Sequence, residues 1–218
     1  MLAIVPVKKF SSRLPNKNIK KFGKLPLFIH TLQAALKSRY IKRVIVSTDC
    51  KIIKKMSIKN GAEVPFLRPK KLTLKNVNTW QVCNDVIKKI KLKEKKIYES
   101  IIYLQPTSPL RTVNDINKAI KLFYKKKANA VVSLTESKPK FWYKSISQNG
   151  SLISNKDDKK KNYILNGAIY IFKTNFLQSS RHNTYDKKTF AYVMPNERSI
   201  DIDKMIDFKI AELIYFNK

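Results

Sequence analysis

The segment from Lys8 to Asn18 concentrates side chains that bind anions. It follows an apolar run and contains four cations, two hydroxyls and two amides, namely Lys8, Lys9, Arg13, Lys17, Ser11, Ser12, Asn16 and Asn18. Arginine offers a planar fork and lysine a point charge, while hydroxyls and backbone N–H groups fill the gaps, so the combination suits a polyphosphate. No glycine stands between Met1 and Phe22, which excludes a Walker loop. The alternative is a solvated loop in a lysine-rich protein.

A second polar segment, Leu104 to Arg111, carries Gln105, Thr107 and Ser108 beside two prolines. The prolines make this turn rigid, and its amide and hydroxyl groups are suited to contact a hydroxylated substrate. The alternative is a helix-entry turn in which Thr112 or Asn114 caps the next helix.

Two carboxylates follow late in the chain, in the run Ser199 to Asp203. Residues two apart in extended backbone share a face, so Asp201 and Asp203 point together while Ile200 and Ile202 point into the core. A cation relieves the repulsion between two adjacent carboxylates, and magnesium suits an oxygen-only site beside a phosphate loop. The alternative is that Asp203 caps the last helix.

Strand and helix patterns alternate along the first two thirds of the chain. Apolar runs predict strands at Leu2 to Val7, Arg43 to Ser47, Ser100 to Leu104 and Ala130 to Leu134, and helical periodicity predicts helices at Leu27 to Lys37, Lys51 to Asn60, Thr79 to Ile90 and Val113 to Lys126. This order predicts an α/β fold, a mostly parallel sheet sandwiched by helices. Ligands of such sheets bind at the carboxyl ends of the strands, where all three polar segments are expected.

Two of these helices carry an apolar stripe that should face the sheet. The stripes comprise Phe28, Leu32, Ala35 and Leu36 on one helix and Ile116, Ala119, Ile120 and Phe123 on the other. We interpret both as core.

The pattern changes after about Ser137. We predict a hairpin turn at Asn149-Gly150, a mobile loop from Ser154 to Asn162, strands at Tyr163 to Phe172 and Phe190 to Met194, and a final helix from about Lys204 to Phe216. No long linker divides the chain, so the simplest organisation is a single domain, 1–218, in which about residues 138–195 are an elaboration for the substrate side and for dimerisation.

Composition excludes several classes of protein. The 46 Lys and Arg against 15 Asp and Glu give a net charge of +31, but 43% of the residues are hydrophobic, enough for a core. No apolar stretch reaches the ~18 residues of a membrane span, and no signal peptide precedes the first strand. Cys50 and Cys83 stand apart, and we expect a reducing cytoplasm, although one disulfide is compatible with the sequence.

The charge alone would favour nucleic acid or an anionic membrane. The lysines are spread along the chain, however, and no RNA-binding aromatic motif accompanies them. We therefore expect neither partner. A basic RNA- or surface-binding protein on an enzyme scaffold remains the competing hypothesis.

Six motifs in order resemble one family over nearly the whole chain. They are IVPV with SSRLPNKNI, VIVSTD (Val44 to Asp49), GAEVPFLRP (Gly61 to Pro69), LQPTSPLR, NGAIYIF (Asn166 to Phe172) and SIDID. The chain resembles the acylneuraminate cytidylyltransferases, or CMP-sialic acid synthetases. The resemblance implies a nucleotide-diphospho-sugar-transferase fold, a homodimer, and transfer of CMP from CTP to a keto-sugar acid with release of pyrophosphate.

The resemblance also implies roles for individual residues. Lys17 would stabilise charge on the α-phosphate, with Arg13 beside it, and Asp201 and Asp203 would bind Mg²⁺. The nucleotide-binding set is Lys8, Ser11, Ser12, Asn18, Arg68 on the cytosine side, and Thr79. The substrate-binding set is Gln105, Thr107, Ser108, Lys144 and Asn166. The sugar's anomeric hydroxyl would attack the α-phosphorus in line.

Three departures from the family pattern bear on the substrate. Val7 to Phe10 replaces an Ala-Arg start with glycines, and the following FSSRLP is closer to the Kdo cytidylyltransferase version. Lys75 to Thr79 replaces an Asp-Thr element near the base. Lys159 to Lys161, or Lys144, stands in for an arginine that binds the sugar carboxylate. SIDID and NGAIYI favour a nine-carbon acid of the sialic, legionaminic or pseudaminic type, which we predict, whereas the SSRLP loop favours Kdo, the alternative.

Overall fold

A six-stranded sheet runs through the computed structural model, which describes residues 1–74, 76–138, 145–146, 152–153, 161–179 and 185–217. The strands are β1 (Leu2–Pro6), β2 (Lys21–Phe22), β3 (Leu25–Pro26), β4 (Arg43–Ser47), β5 (Ser100–Leu104), β6 (Ala130–Ser137), β7 (Ser145–Ile146), β8 (Leu152–Ile153), β9 (Asn162–Lys173) and β10 (Thr189–Met194). The helices are α1 (Leu27–Leu36), α2 (Lys51–Lys59), α3 (Thr79–Glu94), α4 (Val113–Lys125), α5 (Thr174–Ser179) and α6 (Met205–Phe216).

The large sheet has the strand order β10-β6-β9-β5-β1-β4. Among its described strands, β9 alone runs antiparallel to its neighbours. The chain passes from β1 to β4 on one side and then to β5 on the other, so the strand order reverses at β1. That reversal is where a crevice opens at the carboxyl edge of such a sheet.

The predicted α/β sandwich is confirmed. The strands Arg43–Ser47 and Ser100–Leu104 have the predicted bounds, and β6 runs three residues further than expected, to Ser137. The alternation of strand and helix was readable because both faces of the parallel strands are covered, which makes the strands continuous apolar runs.

Helices cover both faces of the sheet. Helices α1, α2 and α4 pack on one face, and α3 and α5 on the other. A third apolar cluster joins α6 to the loop after β1 through Leu14, Phe22, Ile202 and Phe208.

The helical stripes are buried, with one exception. Leu36 is 40% exposed, so the expectation that it faces the sheet is wrong. It is the last residue of α1, where the helix ends before its side chain is covered. Ile202 is fully buried as expected, whereas Ile200 is only partly so.

Several expectations for the C-terminal third fall outside the described residues. These are the turn at Asn149-Gly150, most of the loop from Ser154, and Lys144. The end of that loop is described, and Asn162 begins β9 instead. The two cysteines are free and buried, so the disulfide alternative is wrong. None of the described helices has the length and apolar character needed to cross a bilayer.

Candidate active site at the carboxyl edge of the sheet

The loop after β1 folds back over the end of the strand. Val7 N donates to Ser47 O at 2.9 Å, which extends the pairing of β1 with β4. The Asn18 side chain is buried and donates through Nδ2 to Lys8 O at 2.9 Å, which closes the loop on itself. The short 3₁₀ helix Lys17–Ile19 follows a left-handed Asn16, and this turn aims Lys17 back at the sheet.

The acid pair reaches the same place from the end of the chain. Ile202 N donates to Thr107 O at 2.9 Å, and the Ile202 side chain is buried in the α6 cluster. This anchoring leaves the carboxylates on either side of Ile202, Asp201 and Asp203, turned toward the polar groups of the edge. The expected juxtaposition of the acid pair and the opening loop is therefore present.

Asp203 is held by two cations of the opening loop. Lys17 Nζ lies 2.9 Å from Asp203 Oδ1, and Arg13 Nη1 lies 2.6 Å from Asp203 Oδ2. Lys17 Nζ also donates to Ile202 O at 2.6 Å. The Lys17 side chain is 13% exposed and that of Arg13 is 64% exposed, so only the lysine is held in a largely enclosed position.

Asp203 does not cap the last helix. That role belongs to Asp207, whose Oδ2 accepts from the backbone N–H groups of Asp203 and Lys204 at 3.0 and 2.7 Å. The capping alternative for Asp203 is therefore wrong, and its carboxylate is available for charged partners.

Asp201 is held by neutral donors. Gln105 Nε2 donates to both of its oxygens, at 3.1 and 2.9 Å, and the Thr107 hydroxyl donates to Oδ1. Burial raises the pKa of Asp201, and the charge of Asp203 adds to the rise, while Thr107, Lys17 and Gln105 oppose it. A carboxylate with these surroundings would be stabilised by an additional cation.

A cleft of about 260 Å³ opens beside these groups. Its polar lining includes most of the predicted residues: Lys8, Ser11, Arg13, Lys17, Asn18, Arg68, Thr79, Gln105, Thr107 and Asp203. Ser11 Oγ and Asn18 Oδ1 are buried and have no hydrogen-bond partner among the described residues. Buried polar atoms rarely lack a hydrogen-bond partner, so these two atoms point to a ligand that forms hydrogen bonds with them.

Arg68 is buried beside the cleft, and its guanidinium binds the protein backbone and a neighbouring side chain. Its Nε donates to Ser47 Oγ at 3.0 Å, and its Nη2 donates to Ser47 O, at the carboxyl end of β4. Burial lowers the pKa of Arg68, although Asp49 opposes the change. The guanidinium thus ties the segment that carries Arg68 to the end of β4, and this segment continues through Leu72 and Leu74 into the far wall of the cleft.

Some predicted residues lie elsewhere. Ser12 is exposed outside the described lining of the cleft. Ser108 is fully buried below it, and Asn166 is bound in the interior to Ser133 and Ser199. Thr112, the alternative explanation for the proline-rich turn, does cap α4 in a capping box with Asp115. That turn therefore serves both the cleft and the helix entry.

The apolar side of the cleft was not predicted. It is formed by Leu72, Leu74, Val77 and Val82, together with Tyr103, whose hydroxyl accepts from Thr79 Oγ1 at 3.2 Å. The signal for Tyr103 was its place one residue before the end of a buried strand. The leucines lie in a lysine-rich segment without periodicity, which offered no signal.

A mostly parallel open sheet with a cationic loop and an acid pair at its reversal point is typical of nucleotide-binding α/β proteins. The family model described as Cytidylyltransferase matches residues 2–215. The chain belongs to the cytidylyltransferase family.

Several relatives of this chain are named as enzymes that form CMP derivatives of sugar acids. The CMP-N,N'-diacetyllegionaminic acid synthase of Legionella pneumophila is 31% identical, over 97% of this chain and 94% of the relative. The synthase of the same name from Campylobacter jejuni is 34% identical, over 94% and 90%. The N-acylneuraminate cytidylyltransferase of Escherichia coli O18:K1:H7 is 33% identical over 100% of this chain, which spans 52% of that relative.

Solved structures share the fold. A CMP:2-keto-3-deoxy-manno-octonic acid synthetase complexed with CTP superposes with a TM-score of 0.76 at 13% identity, covering 99% of this chain and 98% of the other. The 4-diphosphocytidyl-2C-methyl-D-erythritol synthase of Anaerococcus prevotii gives 0.69 at 14% identity, covering 100% and 98%.

Proposed function

We propose that this protein transfers CMP from CTP to the anomeric hydroxyl of a nine-carbon 2-keto sugar acid of the sialic, legionaminic or pseudaminic type and releases pyrophosphate. The observation that carries the proposal is the meeting of Lys17, Arg13 and Asp203 at the mouth of a cleft on the carboxyl edge of the sheet. The sugar class is supported by the names of the relatives, which include a pseudaminic acid cytidylyltransferase that is 26% identical.

The two cations act on the phosphates. When a triphosphate enters, Lys17 and Arg13 move from Asp203 to phosphate oxygens, and Lys17 neutralises the charge that develops on the α-phosphate. The free Ser11 hydroxyl and Asn18 Oδ1 bind the nucleotide from the loop. The apolar side of the cleft, from Leu72 to Val82, covers the base and excludes water from it.

We propose that Asp201 and Asp203 hold Mg²⁺. No group of three or more His, Cys, Asp or Glu side chains gathers in the described part of the chain, so phosphate oxygens and water would complete the coordination, as magnesium prefers. The donor set fits, because both carboxylates present oxygen and the surroundings of Asp201 favour a cation. The bound ion would neutralise charge on the triphosphate.

Assembly and location complete the proposal. A homodimer is supported by apolar side chains exposed at the start of β9 and on β10, namely Tyr163, Ile164, Leu165 and Val193. A cytoplasmic location is supported by the two free thiols, which persist in a reducing compartment.

Pyrophosphate release tests the function. The purified protein is incubated with CTP and Mg²⁺ and, in turn, legionaminic, pseudaminic and N-acetylneuraminic acids and Kdo. We expect release with at least one nine-carbon acid and its loss on chelation of the metal. Preference for Kdo would replace the sugar assignment, and equal rates with GTP or UTP would refute the base assignment.

Variants of the acid pair provide the control. Asp203→Asn should abolish most of the release, whereas Asp85→Asn should not, because Asp85 pairs with Lys89 along α3 outside the cleft. Salt-resistant RNA binding, combined with no thermal shift from CTP and Mg²⁺, would favour the competing RNA- or surface-binding hypothesis.

A further inference from the structure

Strand β9 is irregular where it lies against Gln105, a residue that lines the cleft. Its pairing with β6 shifts register between Val132 and Leu134. The Ser133 hydroxyl fills the irregularity, because it donates to Asn166 Oδ1 at 2.6 Å and accepts from Ile169 N at 2.8 Å. Between these anchors Gly167 has φ +74°, a left-handed conformation that glycine adopts without strain.

The missing side chain of Gly167 makes room for Gln105. A Cβ placed on Gly167 would lie 2.6 Å from Gln105 Oε1 and 3.2 Å from its Cδ. On its other side, the same amide donates through Nε2 to Thr107 Oγ1 at 2.9 Å and to Asp201. The amide therefore lies between the backbone of β9 and the acid pair.

The backbones of both strands are fixed at this point. The buried guanidinium of Arg111 donates through Nη1 to Gln105 O at 3.2 Å and to Ala168 O at 2.8 Å, and through Nη2 to Thr31 Oγ1 at 2.8 Å. Arg111 ties the residue after β5 to β9, beside the last pair of the two strands, Leu104 and Ile169, and so opposes their separation to accept a side chain at residue 167. The side-chain amide of Gln105 has to move instead.

We propose that Gly167 is a positioning residue of the transfer reaction, acting through Gln105 on Asp201. Its bare Cα holds the Gln105 amide in the orientation that supports both oxygens of the Asp201 carboxylate. This inference rests on the proposed function, since Asp201 matters to turnover only if the acid pair takes part in CMP transfer.

Alanine substitutions at two glycines separate positioning from backbone strain. Gly61 also has positive φ, +84°, but a Cβ there would meet only Leu36 Cδ1, at an ordinary 3.5 Å. Gly61→Ala therefore carries the same kind of strain away from the cleft. We expect Gly167→Ala to lower kcat by about 10- to 100-fold with KM for CTP unchanged, and Gly61→Ala to leave kcat at the wild-type value.

The decisive measurement is a double-mutant cycle with Gln105→Ala, which removes the clashing amide. If Gly167 acts through Gln105, adding Gly167→Ala to Gln105→Ala lowers kcat no further. Losses that multiply, or a kcat for Gly167→Ala equal to that of Gly61→Ala, would overturn the inference. Should Gly167→Ala alone not fold, the double variant still should, and its kcat against that of Gln105→Ala decides.

Thermal denaturation of the same variants gives a readout that does not depend on turnover. We expect Gly167→Ala to lower Tm more than Gly61→Ala does, and the excess to disappear in the Gln105→Ala background. An excess that persists there would overturn the inference. A wild-type protein that turns over no sugar acid would instead refute the proposed function, whatever the Tm cycle shows.

Discussion

The ammonium of Lys17 lies 2.9 Å from a carboxylate oxygen of Asp203, although 186 positions separate the two residues in the chain. Lys17 is mostly enclosed, while the second partner of Asp203, Arg13, is largely exposed. Of the two cations, Lys17 is therefore the one whose position is fixed by the surrounding structure, and it is the first residue to test.

Lys17→Gln should lower the rate of pyrophosphate release by about 10²- to 10³-fold, because a preorganised charge beside the transferring phosphate is lost. Lys59→Gln makes the same change of charge at the exposed end of α2 and serves as the control. Both rates are measured at saturating CTP and sugar acid. Equal rates for the two variants would remove Lys17 from the mechanism.

Arg111→Met should destabilise the protein by about 1–3 kcal/mol, because the buried acceptors Ala168 O and Thr31 Oγ1 each lose a hydrogen bond from the guanidinium. Burial lowers the pKa of Arg111 to about 10, so the side chain still carries its charge at neutral pH. The free energy of unfolding is measured with urea, beside Arg39→Met on the exposed surface. A similar loss in both variants would contradict a special role for Arg111.

The buried Asp115 should make stability depend on acid pH. Burial by itself would raise its pKa, but hydrogen bonds from Arg198, Thr112 and Tyr192 outweigh burial and lower the pKa from its ordinary 3.8. A lowered folded-state pKa adds stability above 3.8 that is lost as the pH falls through the folded value. The stability difference between wild type and Asp115→Asn should therefore be largest near neutral pH and shrink in acid.

Urea unfolding of these two proteins across that range measures the effect, and Asp85→Asn, which changes a partly exposed carboxylate paired with Lys89, is the control. A difference that stays constant into strong acid would show that the Asp115 carboxylate charge does not contribute.

Both cysteines should resist thiol reagents in the folded protein. Cys83 is fully buried, and burial raises the pKa of its thiol to about 12, while Cys50 is 8% exposed. Thiolate is the reactive form, so Ellman's reagent should label neither residue at neutral pH until guanidinium chloride unfolds the chain. Rapid labelling of Cys83 in the native protein would mean that the face of the sheet covered by α3 opens readily.

The parallel part of the fold was predictable because its strands and helices differ in periodicity and each is bounded by polar loops. The position of β9 was not. Its sequence, Asn162 to Lys173, predicts a strand, but nothing in it tells that the strand enters the sheet antiparallel between β5 and β6. Order in a sheet depends on long-range packing, which a local pattern does not encode.

The site was predictable where residue types concentrate and unpredictable where one residue supports another. The acid pair stood out by charge and spacing and the opening loop by its cations, whereas only the resemblance to the family singled out Lys17 within that loop. The roles of Arg111 and Gly167 arise from contacts between strands, and the buried Arg68 is held by a backbone carbonyl of β4. Such relationships have no signature in a single sequence.

After β10, at one edge of the sheet, the chain returns to Thr107, which follows the interior strand β5. This path has a consequence for biosynthesis. Ribosomes deliver the amino terminus first, so the opening loop emerges long before the acids and the helix that cover it. A nascent polypeptide halted before Ser199 would lack both the partner of Lys17 and the apolar cover over Leu14 and Phe22. The proposed CMP transfer therefore requires the segment from Ser199 onward, and chains that stop before it should not consume nucleotide.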